Sequence, residues 1–385
     1  MIPYLDYAAS APLDPVVAES MARVMSDPGL QGNAASSHEP GRAARDCVAV
    51  ARADIAALVA ADPVEILLTS GATESNNLAV FGAARWCAGR GRHIVTTTVE
   101  HASVAQPFRQ LAREGYEITW LRPDADGLVA PAALAAAIRS DTSLVSVQHV
   151  NNETGVRQDV QALGAICRSS DVLFHVDAAQ SAGREPLDVR QQQIDLLSLS
   201  AHKMYGPKGA GALFLDQGRA PRLMPLLLGG GQERGMRSGT LATHQAHGMG
   251  IAARLALAAL GHEPARVAGL RDRLWHAIRT LPGIHLNGHP EQRACHILSV
   301  SVDGVDGESL QFALRGIAVS SGSACDSLSD EPSPVLRELG RSPALANSTV
   351  RFSLGRQSTV AEVDLAAKLF TAAVNHLRRM APAAA

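Results

Sequence analysis

The chain reads SLVSVQHV at 143–150 and, after an Ala/Leu-rich helical stretch, VLFHV at 172–176. Apolar runs this short suit buried strands, because core helices need at least about 10–12 residues. Similar runs stand upstream at 66–69 (ILLT), 93–98 (HIVTTT) and 116–121 (YEITWL), and downstream at 194–199 (IDLLSL) and 210–215 (AGALFL). Alternation of such runs with helical stretches implies βαβ units and a largely parallel sheet, with ligand sites at the carboxyl ends of the strands. The last two runs lie close enough to be neighbours without a full helical crossover, so an antiparallel strand is expected in the sheet.

Beyond residue 215 the pattern changes. A Gly-rich passage at 229–231 precedes a long helical region from about 241 to 281. A strand at 296–302, a helix at 308–315, a Ser/Gly loop at 320–324, a strand at 349–354 and a terminal helix at 360–379 follow. The expected fold is α/β, with a large domain over 15–258 built on a mostly parallel seven-stranded sheet. A smaller α+β domain would be made of 1–14 and 259–385.

With 385 residues, 46% of them hydrophobic, the chain can bury a sizeable core without disulfides or structural metal. Its 35 basic and 37 acidic residues leave a net charge of −2 and no basic tract, which argues against nucleic acid as a partner. No apolar run approaches the roughly 18 residues of a membrane span. The start, Met1-Ile2-Pro3-Tyr4-Leu5-Asp6, has no secretory pattern, so a cytoplasmic location is expected. Cysteines at 47, 87, 167, 295 and 325 are odd in number and lack C-x-x-C spacing, which fits neither a disulfide framework nor a zinc ribbon. Lysines are rare: only Lys203, Lys208 and Lys368. Chemistry that needs an amine therefore has three candidates.

Three stretches carry chemistry. Thr69-Ser70-Gly71-Ala72-Thr73-Glu74-Ser75-Asn76-Asn77 lies where a strand meets a helix, and suits either a phosphate at the helix N-terminus or an ordinary N-cap. His175-Val176-Asp177-Ala178-Ala179-Gln180 places a carboxylate at a strand end, where it caps a turn or holds a proton on a pyridine nitrogen. His175 and Asp177 share a strand face, but no third ligand follows at metal-site spacing. Ser200-Ala201-His202-Lys203 puts a lysine directly after a buried strand, where desolvation can lower its pKa and permit a Schiff base. Hydroxyl, lysine and aspartate together are the parts that pyridoxal phosphate chemistry requires.

These residues carry a resemblance. The chain resembles the pyridoxal-phosphate-dependent cysteine desulfurases of the class V aminotransferase family over nearly its whole length. Ten motifs appear in the family's order: YLDYAAS at 4–10, GNAASSH at 32–38, SGATESNN at 70–77, EH at 100–101, HVNNETG at 149–155, HVDAAQS at 175–181, SAHKMYGPKG at 200–209, GGGQERGMRSGT at 229–240, SSGSAC at 320–325 and VRFSLGR at 350–356. The resemblance implies a fold of the type I pyridoxal-phosphate transferases and a homodimer.

It also implies roles. Lys203 would hold the cofactor as an internal aldimine and shuttle protons, Asp177 would protonate the pyridine nitrogen, and His101 would stack on the ring and assist proton transfer. Gln180 and Asn152 would contact the phenolic oxygen, Asn152 also lying near substrate. Ala72, Thr73, Ser200 and His202 would bind phosphate, joined by Thr240 from a second subunit. Arg351 would clamp the carboxylate of L-cysteine, a task suited to a planar guanidinium.

Cys325, on a small polar loop, would attack the substrate sulfur, release L-alanine and keep a persulfide. An iron–sulfur scaffold or a tRNA-thiolation relay protein would then take the sulfur. Asp326 stands where the family commonly has a small hydroxyl residue, and its charge disfavours a neighbouring thiolate. Asn33-Ala34-Ala35-Ser36 replaces the usual Asn-Pro-x-Ser. The chain ends soon after Arg379, before the extended tail by which some members dock a scaffold. A selenocysteine lyase or another class V aminotransferase is the alternative within enzymes, and a non-catalytic scaffold the alternative outside them.

Overall fold

The computed structural model describes residues 2–220, 222–321 and 332–380. Cys325, Asp326 and the loop around them lie outside the described residues, as does the tail 381–385. An N-terminal segment leads into helix α1 (Pro15–Ser26), capped by Asp14, whose side chain accepts the Val16 N–H at 2.9 Å. Helix α2 (Glu39–Leu58) follows. Strands and helices then alternate: β1 (Ile66–Thr69), α3 (Ala72–Trp86), β2 (His93–Thr97), α4 (Ala102–Arg113), β3 (Glu117–Leu121), α5 (Pro131–Ala137), β4 (Thr142–Gln148), α6 (Val160–Ser169) and β5 (Leu173–Asp177). Two further strands, β6 (Leu196–Ser200) and β7 (Gly211–Leu215), complete the series.

These seven strands form one sheet in the order β1-β7-β6-β5-β4-β2-β3. Pairs from β3 through β6 are parallel, while β7 runs antiparallel to both β6 and β1. The expected antiparallel strand is thus β7, which returns beside β6 after a connection too short for a helical crossover. All strands except the edge strand β3 are buried along their whole length. Their unbroken apolar runs reflect cover on both faces. One face packs Val48, Ile55, Leu163 and Met249, and the other packs Leu78, Val80, Val104 and Phe108.

The helical region expected over 241–281 is two helices, α7 (Thr243–Ala259) and α8 (Glu263–Ile278). Pro264 sits in the first turn of α8, where its missing N–H costs nothing, and the break lets the two helices serve different cores. Helix α7 packs on the large sheet, whereas Val267, Leu270, Leu274 and Ile278 of α8 join a second core. That core covers a four-stranded antiparallel sheet of β8 (Ile284–Leu286), β9 (Ile297–Val302), β10 (Ser320–Ser321) and β11 (Thr349–Ser353), in the order β10-β11-β9-β8. Helices α9 (Gly307–Ala313), α10 (Pro334–Glu338), α11 (Pro343–Asn347) and α12 (Val360–Met380) complete this part.

The N-terminal segment is stitched to the small sheet. Leu5 N–H donates to Ala318 O at 2.9 Å, Ser353 N–H donates to Leu5 O at 2.7 Å, and the Leu5 side chain enters the second core. Among the described residues no helix is long and apolar enough to cross a membrane.

Candidate active site

Helix α3 begins without a side-chain cap. Its N-cap, Gly71, has φ +148°, a left-handed conformation that glycine adopts without strain. A Cβ on Gly211, at the start of β7, would stand 2.5 Å from Gly71 Cα, so the two glycines let β7 approach this turn closely. The first-turn N–H groups, unsatisfied within any helix, are left available to a ligand. They border a cavity of about 590 Å³ at the carboxyl ends of β5 and β6.

Ala72, Thr73, His101, Asn152, Asp177, Gln180, Ser200, His202, Lys203 and Arg351 all line this cavity. Ten residues expected to share a site, drawn from six separate motifs, are thus brought together. Thr240 is not among them: in its own chain it borders a different, smaller cavity with Arg237 and Gly209. Arg237 anchors that segment by donating to Glu74 at 2.7 Å. Burial alone would raise the Glu74 carboxyl, but bonds from Arg237 and Ser70 outweigh it and hold the pKa low. Cys325 lies outside the described residues.

Lys203 follows β6 in a short 3-10 turn. Its Nζ donates to Ala9 O at 2.9 Å and to Ala8 O, carbonyls of the N-terminal segment. Gln180 Nε2 also donates to Ala8 O, at 2.9 Å, and its Oε1 is buried with no partner. His202 Nδ1 lies 3.2 Å from Ser10 Oγ. Burial, then the charges of Lys203 and Lys208, push the His202 pKa down to about 4, so the ring is neutral near pH 7.

Asp177 ends β5 with both oxygens engaged: Ala179 N–H donates to Oδ1 at 2.9 Å and Asn76 Nδ2 to Oδ2 at 2.7 Å. The same Asn76 amide donates to Ser103 Oγ at 2.8 Å, and Ser103 Oγ lies 2.7 Å from His101 Nδ1. Because a carboxylate only accepts, the direction of this chain is set from Asp177, and the Ser103 hydroxyl is left to donate to His101. His101 also caps α4, its Nδ1 accepting the Ser103 N–H at 3.1 Å. Two donors on Nδ1 fix the ring proton on Nε2.

Arg351, on β11, is 1% exposed. Its Nη1 donates to Asn152 O at 2.7 Å and its Nη2 to Asp6 Oδ1 at 3.0 Å, while Nε is buried with no partner. Glu100, beside His101, is buried; its Oε1 accepts from Thr97 Oγ1 at 2.7 Å and from Gln148 N–H at 3.0 Å. Burial, with the charge of Asp177 adding to it, raises the Glu100 pKa to about 8. These bonds tie the loop that carries His101 to the end of β4.

His175 bonds Ser146 Oγ at 2.8 Å and Ser198 Oγ at 2.9 Å, which occupies both ring nitrogens. Among the described residues no cluster of three His, Cys, Asp or Glu side chains could hold a metal. Cys87, Cys167 and Cys295 are buried, and burial pushes the Cys167 thiol up to about 12 and that of Cys295 up to about 11. Neither is a nucleophile at neutral pH. Sequence reasoning missed Asn76, Ser103, Asp6 and Glu100 as individual contributors. Asn76, Asp6 and Glu100 lie inside the motifs that carry the resemblance, which was the only signal available for them.

The family model described as Aminotransferase class-V matches residues 3–365. A cysteine desulfurase IscS from Shewanella woodyi is 53% identical over 380 residues, covering 98% of this chain and 94% of that one. A solved NifS-like protein superposes with a TM-score of 0.90 at 32% identity, covering 98% of this chain and 100% of its own. A structure described as SspA in complex with cysteine gives a TM-score of 0.81 at 35% identity over 93% of this chain and 100% of that one. The chain therefore belongs to the class V aminotransferase family and, within it, to the cysteine desulfurases.

Proposed function

We propose that the 590 Å³ cavity binds pyridoxal 5′-phosphate and L-cysteine, and that the sulfur leaves as a persulfide on Cys325. The observation that carries this reading is the convergence of ten motif residues on one cavity. The residues fit the cofactor. The uncapped α3 N-terminus, with Ser200 and His202, suits a phosphate. Asp177, anchored through both oxygens, suits a protonated pyridine nitrogen. Gln180 and Asn152 remain for the phenolic oxygen.

Bound there, the cofactor supplies an electron sink for charge developing beside the substrate amine. The protein supplies the rest. Lys203 presents its amine at a strand end, held by the carbonyls of Ala8 and Ala9, and takes up or returns a proton at Nζ. His101 keeps a proton on Nε2 and therefore acts first as a donor. Arg351 binds the substrate carboxylate. The Cys325 thiolate bonds to the substrate sulfur as the substrate Cβ–S bond breaks; L-alanine leaves after protonation at Cβ.

The reading includes a homodimer in which Thr240 reaches the partner's phosphate site, a division into 15–258 and 1–14 with 259–385, and a cytoplasmic location. The physiological acceptor is an iron–sulfur scaffold or a thiolation relay protein. Incubation with cysteine should yield L-alanine and a mass increase of one sulfur atom on the peptide bearing Cys325. A Cys325→Ser protein that still released alanine and sulfide at the normal rate would overturn the assignment.

A further inference from the structure

The guanidinium of Arg351 is almost wholly buried, and the cavity beside it is lined by the amines of Lys203 and Lys208. A buried cation without a counter-charge is costly, and the acids lining the cavity are committed elsewhere. Glu74 is paired with Arg237, and Asp177 takes Asn76 and the Ala179 N–H. The counter-charge of Arg351 is Asp6, from the other end of the chain. Asp6 is itself well fixed. Its carbonyl accepts from Ala9 N–H at 3.1 Å and Ser10 N–H at 3.2 Å, and a parallel bridge joins it to Ser353, two residues from Arg351 on the same strand.

Resting on the functional reading above, we propose that Asp6 is a positioning residue for recognition of the substrate carboxylate. Its carboxylate and the Asn152 carbonyl hold one N–H each of the guanidinium. Arg351 thus keeps a single orientation and a compensated charge before substrate arrives, with donors in reserve, Nε–H among them. Asp6 touches no reacting atom; it acts through Arg351. Preorganisation of this kind strengthens binding because the arginine need not be ordered by the ligand.

The test compares two amines on the pyridoxal-phosphate-loaded protein, read by the change in its visible absorbance. L-Alanine carries the carboxylate; ethylamine has the same carbon skeleton without it. Asp6→Ala should weaken L-alanine binding by about tenfold or more, the loss of one charged hydrogen bond, and leave ethylamine binding unchanged. Asp6→Asn, which keeps an acceptor and drops the charge, should lose less. For cysteine turnover, KM should rise while kcat stays near wild type. Equal weakening of both amines would mean that Asp6 only holds the segment in place, and tighter alanine binding would mean that Asp6 competes with substrate. Either result overturns the proposal. Should Asp6→Ala fail to fold, the alanine-to-ethylamine ratio in Asp6→Asn decides, and an unchanged ratio is a negative answer. A wild-type protein that showed no absorbance change with either amine would instead sink the functional reading.

Discussion

Glu100 and His101 are neighbours in sequence with different relations to the proton. The Ser103 N–H keeps His101 Nδ1 unprotonated, so its role is set by a hydrogen bond. Glu100 is governed mainly by burial: its ordinary pKa of 4.5 becomes about 8 in the fold. Between those values the folded chain retains a proton that the unfolded chain has released, so stability falls as pH rises through the window. The contribution is complete below about pH 4.5 and gone above about pH 8. Glu100→Gln removes the titration. Denaturation curves at several pH values should show the variant gaining on wild type between pH 5 and 8; parallel curves would mean that the glutamate is already ionised in the fold. His149, His175 and His202 give the opposite slope on the acid side. Burial lowers their pKa values to about 4, 3 and 4, so stability is lost as pH falls below 6.5.

At the scale of elements, the start of β7 and the turn into α3 depend on two glycines in contact. Gly211→Ala would drive a methyl group into Gly71 Cα. Overpacking of this kind costs about 1–3 kcal/mol, and here the relief must come from moving the α3 N-terminus. The variant should show a lower denaturation midpoint together with weaker retention of pyridoxal phosphate in a spectroscopic titration. A loss of stability with unchanged retention would separate the turn from the phosphate site. The large-sheet strands were legible in the sequence because cover on both faces makes them continuous apolar runs. Strands β8 and β10 were not, since three and two partly exposed residues leave no pattern. The candidate site was legible where chemistry is rare, as in a chain with three lysines. It was illegible where a role comes from distant contacts: Asn76 meets Ser103 across 27 residues and Asp177 across 101.

At the scale of the whole molecule, the site draws Lys203, Asp177 and His101 from the large sheet and its helices, and Arg351 from the small one. Thr240 borders a separate cavity of its own chain, and its proposed role in a second subunit has two tests. Light scattering should give a mass twice that of the chain. Thr240→Val should leave that mass unchanged while weakening phosphate-dependent cofactor binding by about tenfold, the loss of one charged hydrogen bond. A monomeric mass at micromolar concentration would remove the shared site. The pairing of Asp6 with Arg351 also bears on how the protein is made. The two residues are 345 positions apart, so at about 5–20 residues per second one leaves the ribosome roughly 17–70 s before the other. For that interval Leu5 and Asp6 have no β11 to be stitched to. On the proposed reading, a chain truncated before β11 would carry Lys203 but lack both Arg351 and the partner of Asp6, and should show no cysteine turnover.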